Sequence, residues 1–132
     1  MPFTRIMLRQ GYSDVQLTQI SDILQQSLEE EFAVPPGDRF QVFEELPARL
    51  RVFDRHYRSR GRTENFIQFM ITAGKPRTPK QKQRLCRSLC ERLAQSLAID
   101  PQDVMVMIHF NTADDWSFSA GRIMSEQQAV HP

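Results

Sequence analysis

Cysteine is scarce in this chain. Cys86 and Cys90 are the only two, four residues apart in one segment, which fits neither a disulfide framework nor a four-ligand zinc motif and points to reduced thiols packed on one helical face. No apolar run approaches the roughly 18 residues of a membrane span, and the N-terminus has no apolar signal core, so a cytoplasmic protein with no membrane partner is expected. An excess of charge is missing too. Lys and Arg number 17 against 16 Asp and Glu, for a net +1, which is no field for holding nucleic acid non-specifically. The histidines at 56, 109 and 131 share no metal-gathering spacing, and no serine–histidine–aspartate set, phosphate loop or dinucleotide fingerprint is present, so neither metal nor cofactor is expected. What is there is ordinary for one folded domain: 132 residues, 40% hydrophobic, 25% charged, with nine Phe.

The chain repeats itself. A shift of 65 positions lays Ser13 on Thr78, Gln16 on Gln81, Ile20 on Leu85, Leu24 on Leu89, Leu28 on Leu93, Phe32 on Leu97, Pro36 on Pro101 and Asp38 on Asp103. Each half opens with a short apolar run, Phe3–Leu8 and Phe66–Thr72, of strand length and composition. Ser13-x-x-Gln16 and Thr78-x-x-Gln81 are capping boxes, and Pro79 suits a first helical position. In the first helix Ile20, Ile23, Leu24, Ser27, Leu28 and Phe32 form a core face, opposite Gln19, Gln25, Glu29 and Glu30. In the second, Leu85, Cys86, Leu89, Leu93 and Leu97 do the same, opposite Lys82, Arg84, Arg87 and Glu91. Pro35-Pro36-Gly37 and Pro101 then hand the chain to strands at Phe40–Phe43 and Met105–Ile108.

Strand, helix, strand, twice over, predicts an α/β sandwich: two tandem βαβ repeats forming a mixed four-stranded sheet with two helices on one face. A single domain over 1–132 is expected, with repeat one at about 3–43, a connection at 46–65, repeat two at about 66–110 and a C-terminal segment at 111–132. The connection carries a short strand near Leu50–Phe53 and an arginine-rich loop. No element is left to cover the bare sheet face, so oligomerisation is expected.

Three strings carry a resemblance: Pro2 directly after the initiator, Val34-Pro35-Pro36-Gly37-Asp38-Arg39-Phe40-Gln41, and Asp115-Trp116-Ser117-Phe118 with Gly121-Arg122. Together they resemble the tautomerase superfamily, in its malonate semialdehyde decarboxylase-like branch, over nearly the whole chain. The resemblance implies a homotrimer of fused βαβ units whose catalytic group is an amino-terminal proline. Pro2 serves only if Met1 is removed, since an amide nitrogen has no basic lone pair, whereas a desolvated prolyl amine titrates near neutrality.

By the same resemblance Asp38 matches a carboxylate that positions or activates water. Asp103, at the equivalent place in the second repeat, offers the plainer reading of a turn residue for both. Lys75 and Arg77 lie where the family carries two carboxylate-binding arginines, and Lys75 departs from the pattern, because lysine lacks the planar fork of arginine. Trp116 and Phe118 correspond to an apolar wall beside the proline, and packing at a core or subunit interface is the alternative.

The substrate implied is a small anionic carbonyl compound. A neutral Pro2 amine fits keto–enol tautomerisation of a 2-keto acid or arylpyruvate. A protonated one fits decarboxylation or hydration of a small 3-oxo acid such as malonate semialdehyde. A trimeric binding protein without catalysis is the third reading. The loop with Arg49, Arg51, Arg55, Arg58, Arg60 and Arg62 is the one strongly basic stretch; it reads as solvated, or as a border that steers anions towards Pro2, with no nucleic-acid motif beside it.

Overall fold

The computed structural model describes residues 1–126. Four strands, β1 (Pro2–Arg9), β2 (Phe40–Leu46), β3 (Ile67–Ala73) and β4 (Val104–Phe110), form one sheet in the order β2-β1-β3-β4, with α1 (Asp14–Phe32) and α2 (Pro79–Leu97) linking the parallel pairs. β1 is parallel to β2 and β3 to β4, while β1 and β3 meet antiparallel at the centre. This is the mixed four-stranded α/β arrangement that the sequence predicts.

Both capping boxes form. The Ser13 and Thr78 hydroxyls each accept from the third helical N–H at 3.1 Å, and the Gln16 and Gln81 carbonyl oxygens accept from the cap N–H at 2.9 Å. The repeat extends to the helix ends: Ala33 and Ala98 both stop their helices at φ 54°, and the following N–H donates to Leu28 O or Leu93 O at 3.3 Å in either half. In both halves the bond reaches back six residues, to a carbonyl that the cap alanine's own N–H also approaches, so the two helices end in the same way.

Alternation along the strands sorts the two faces. Ile6, Leu8, Ile67, Phe69 and Ile71 join Ile20, Leu24, Leu28, Phe32, Leu85, Leu89 and Leu93 in a core between sheet and helices. The other face has no layer over it, and Phe3, Phe40, Val42, Met105 and Met107 are each 37–49% exposed there. Among the described residues no helix is long and apolar enough to cross a membrane.

Two expectations are corrected. Leu50–Phe53 is not a strand: a single 3-10 turn over Ala48–Leu50 leads into irregular chain. Val52 is almost wholly exposed, and Phe53 stacks on Phe66 at 4.4 Å instead of entering the sheet. Gln25, assigned to the solvent face of α1, is buried at 2% exposure, because the chain between α1 and β2 folds back over that turn and its Asp38 carbonyl accepts from the Gln25 amide at 3.0 Å.

Candidate active site

The strand directions gather the predicted residues at one end of the sheet. β1 begins there at Pro2, opposite Ala73, the last residue of antiparallel β3. β2 begins there too, with Phe40 beside Phe3 and Asp38 just before it. β4 ends there at Phe110, after which the Asn111 N–H donates to Ala73 O at 2.9 Å. The segments that follow β3 and β4 bring Gly74, Lys75, Arg77, Trp116 and Phe118 to the same edge.

Met1 occupies the middle of this cluster. Its terminal ammonium donates to Asp38 Oδ2, and the two side chains are only 17% and 16% exposed. A Cβ placed on Gly74 would lie 2.9 Å from the Met1 Cε and 2.7 Å from Trp116 Nε1, so the methionine side chain and the indole meet over a residue that has no side chain of its own. Removing Met1 would make the Pro2 nitrogen the terminal secondary amine at this end of the sheet, and would vacate the space between Asp38, Gly74 and Trp116.

Trp116 is held in place by its neighbours. The indole N–H donates to Asn111 Oδ1, and the ring stacks on Phe118 at 5.5 Å with 17° between planes. Phe118 packs in turn on Phe40 at 5.7 Å. An apolar wall beside a charged pair lowers the local dielectric and strengthens any ionic contact made there.

Arg77 and Lys75 differ sharply. Arg77 lies over the Phe32 ring at 5.0 Å and donates from Nε and Nη2 to Phe32 O at 3.3 and 2.9 Å, and from Nη1 to Lys75 O. Burial pulls its guanidinium below the usual value, and the Asp38 carboxylate pulls it back up. Arg77 is thus a fixed cation within range of Asp38, and of its five N–H groups three are engaged. Lys75 contributes only its backbone carbonyl to this cluster, and the side chain is exposed.

The second repeat provides an internal comparison for Asp38. Asp103 is 1% exposed, and both its oxygens are taken: Oδ1 accepts from the Thr63 N–H and Oδ2 from the Thr63 hydroxyl, each at 2.6 Å. It is a turn residue. The Asp38 carboxylate, at the matching place, accepts only from the terminal ammonium among the described residues, and its Oδ1 is buried without a partner there. The two aspartates share a position and not a job.

Comparison with known proteins bears on this cluster directly. The family model for tautomerase enzymes matches residues 38–119. "Probable tautomerase YusQ" of Bacillus subtilis (strain 168) is 38% identical over 122 residues, covering 92% of this chain and 96% of the relative. The chain belongs to the tautomerase family. Among solved structures, malonate semialdehyde decarboxylase, described by its decarboxylase and hydratase activities, superposes with a TM-score of 0.88 at 25% identity, covering 98% of both chains. A fused 4-OT solved as an asymmetric trimer shares the fold, with a TM-score of 0.77 at 21% identity over 96% of this chain and 98% of the other. This chain is a tautomerase-superfamily enzyme of that two-repeat kind.

In this tautomerase-family chain the arginine-rich loop lies elsewhere. It precedes β3, and its side chains hold their own neighbourhood: Arg51 donates to Phe66 O, Arg62 to Asp54 O at 2.9 Å, and Arg55 pairs with Glu64. Within one chain that is the far end of the sheet from Pro2, so its position does not favour the steering role. A groove of about 360 Å³ between α1 and β2, lined by Asp14, Leu17, Thr18, Ser21 and Phe43, also holds none of the candidate residues.

Sequence reasoning missed Gly74, Asn111 and Gln25. Gly74 directly precedes Lys75, yet only the geometry shows that a methyl group has no room there. Asn111 and Gln25 carried no motif at all.

Proposed function

We propose that this tautomerase-family enzyme, once Met1 is removed, uses the Pro2 amine to transfer protons in keto–enol tautomerisation of a small 2-keto acid or arylpyruvate. The observation that carries the reading is the position of Met1, whose terminal ammonium is ion-paired with Asp38 and whose side chain meets Trp116 over Gly74. After processing, the prolyl nitrogen is the free terminal amine at that same end. Asp38 sets its charge state and orientation, since a neighbouring carboxylate favours the ammonium, whereas the apolar wall favours the neutral amine. The base takes a proton from the enol hydroxyl and returns it to the carbon beside the carbonyl, or the reverse, as the double bond moves between C=C and C=O, which needs no net change of charge on the enzyme.

Arg77 holds the substrate carboxylate with its unengaged N–H groups, and Trp116 and Phe118 cover the carbonyl end against water. Lys75, exposed and flexible, adds a peripheral positive charge. The tautomerase reading takes precedence over decarboxylation or hydration because Lys75 stands where the resemblance implies a second arginine, and because the relative at 38% identity is described as a tautomerase. Malonate semialdehyde decarboxylation remains the second reading, supported by the TM-score of 0.88 over 98% of the chain. The bare sheet face with its exposed Phe3, Phe40, Val42, Met105 and Met107 supports assembly into a homotrimer. The fused 4-OT trimer, which shares this fold, gives the same reading support.

The test combines intact mass with ketonisation of phenylenolpyruvate across pH on the same sample. The expected result is a chain lacking one methionine, with activity abolished in Pro2→Ala. Full activity in Pro2→Ala, or activity in protein that retains Met1, overturns the reading, and malonate semialdehyde supplied in parallel separates the two reaction classes.

A further inference from the structure

Three buried oxygens in the described residues lack partners: Thr4 Oγ1, Gln25 Oε1 and Asp38 Oδ1. All belong to the layer between α1 and the start of the β1–β2 pair. Thr4 faces the helices from β1 at 0% exposure and is in register with Gln41 of β2. Gln41 accepts at 2.6 Å from the hydroxyl of Ser21 on α1, and Gln25, one turn further along the same face of α1, donates to Asp38 O at 3.0 Å. So the helix turn that carries Gln25 spans the distance from the neighbour of Thr4 to the backbone of Asp38.

Leaving three such atoms unpaired would be costly, since a buried polar group without a partner loses its hydration and gains nothing. Their chemistry is also complementary to a single small molecule. An ionised carboxylate and an amide oxygen accept only, while a hydroxyl both donates and accepts. A water molecule supplies two donors and still accepts one bond, in line with the roughly three bonds that buried waters usually make.

We propose that Gln25 is a positioning residue for Asp38, holding the Asp38 carbonyl through its amide N–H and, with Thr4, holding a buried water against Asp38 Oδ1. This rests on the functional reading above for its catalytic consequence, though not for the water itself. In the processed protein Asp38 Oδ2 then remains for the Pro2 amine, and the bound water fixes the other oxygen, so that the carboxylate has one orientation rather than two. It also gives Asp38 a proton-exchanging neighbour on the side away from the substrate.

Thr4→Val tests the water without any turnover, because it removes the hydroxyl and keeps the shape. If the hydroxyl is bonded to water, the variant has an unchanged or lower urea midpoint, and a high-resolution crystal structure of processed parent protein shows a water within reach of all three oxygens. A clear rise in the midpoint, the response of a buried hydroxyl relieved of an unmet bond, overturns the proposal. So does a structure in which protein donors fill Asp38 Oδ1 and Gln25 Oε1. Gln25→Met tests the positioning role: kcat for phenylenolpyruvate is expected to fall about tenfold or more with KM little changed, as misplacement of a reacting group produces, and the Pro2 amine, titrated by ¹⁵N NMR, is expected to lose a proton at lower pH as its carboxylate partner loosens. An unchanged amine titration with a rate within twofold of the parent overturns it. Activity in Pro2→Ala would remove the catalytic reading and leave the crystallographic and stability results standing, so the two failures are distinguishable.

Discussion

Gly74→Ala places a methyl group where an indole ring and a methionine side chain already converge. In the processed protein Met1 is gone, and the conflict is with the indole alone: 2.7 Å to Nε1 and 3.1 Å to Cδ1 of Trp116. Those atoms belong to a rigid ring stacked on Phe118 and bonded to Asn111, so the whole ring must shift. Overpacking of this kind costs about 1–3 kcal/mol, and loss of the Asn111 bond adds about 1 kcal/mol. The sum, about 2–4 kcal/mol, is a large share of the roughly 5–15 kcal/mol by which domains are stable. Trp116 is the single tryptophan, so its fluorescence reports the site directly. Urea unfolding at fixed protein concentration should show the loss of stability, and the native emission maximum should shift to longer wavelength as the ring leaves its wall. A midpoint within about 0.5 kcal/mol of the parent, the scatter of neutral surface changes, together with an unmoved emission maximum would refute the packing argument.

Asp103→Ala strands the Thr63 N–H and hydroxyl and should cost about 2–3 kcal/mol in urea unfolding, whereas Asp38→Ala should cost less than half as much while removing ketonisation activity; equal costs would show that the two aspartates play one role. Burial pushes the Cys90 thiol up to about 11, with Cys86 and Glu91 adding to the rise. The folded state therefore keeps a proton that the unfolded chain releases near pH 8.5. The stability this contributes is complete below that pH and is lost as pH climbs through the folded value, so Cys90→Ala should flatten the fall in stability between about pH 9 and 11. Alkylation of native protein at pH 7.5 should be slow at both cysteines for the same reason. Met107→Glu sets a charge in the bare apolar face and should lower the mass seen by light scattering from trimer to monomer; an unchanged mass would move the subunit contact elsewhere.

Local rules and one long-range regularity made most of the fold legible. Capping boxes, prolines and apolar spacing are contiguous signals, and the shift of 65 positions turned each into a pair, down to the matched left-handed alanines that no propensity singles out. What failed was tertiary. Gln25 sits on a polar-looking position of α1, and only the path of the chain between α1 and β2 buries it. Leu50–Phe53 has the composition of a strand, but Phe53 found Phe66 and no sheet edge took the segment. At the candidate site the motif residues were readable because they stand in strings, while Asn111 and Gly74 matter through what touches them. The choice between a structural and a free carboxylate at Asp38 and Asp103 depends on Thr63, distant from Asp38 in sequence and placed by the fold.

The enclosed chain end has a consequence for handling the protein. With its ammonium in an ion pair and its side chain covered, Met1 offers an aminopeptidase little to grip once β1 has joined the sheet. Trimming is then a race with folding, won on the nascent chain or in rare openings of the first strand. On the proposed mechanism, molecules that lose the race would be well folded and inert, and would pass every test of structural integrity. A preparation's specific activity would thus count processed ends, and two batches with identical spectra and melting curves would differ in rate by their clipped fraction alone.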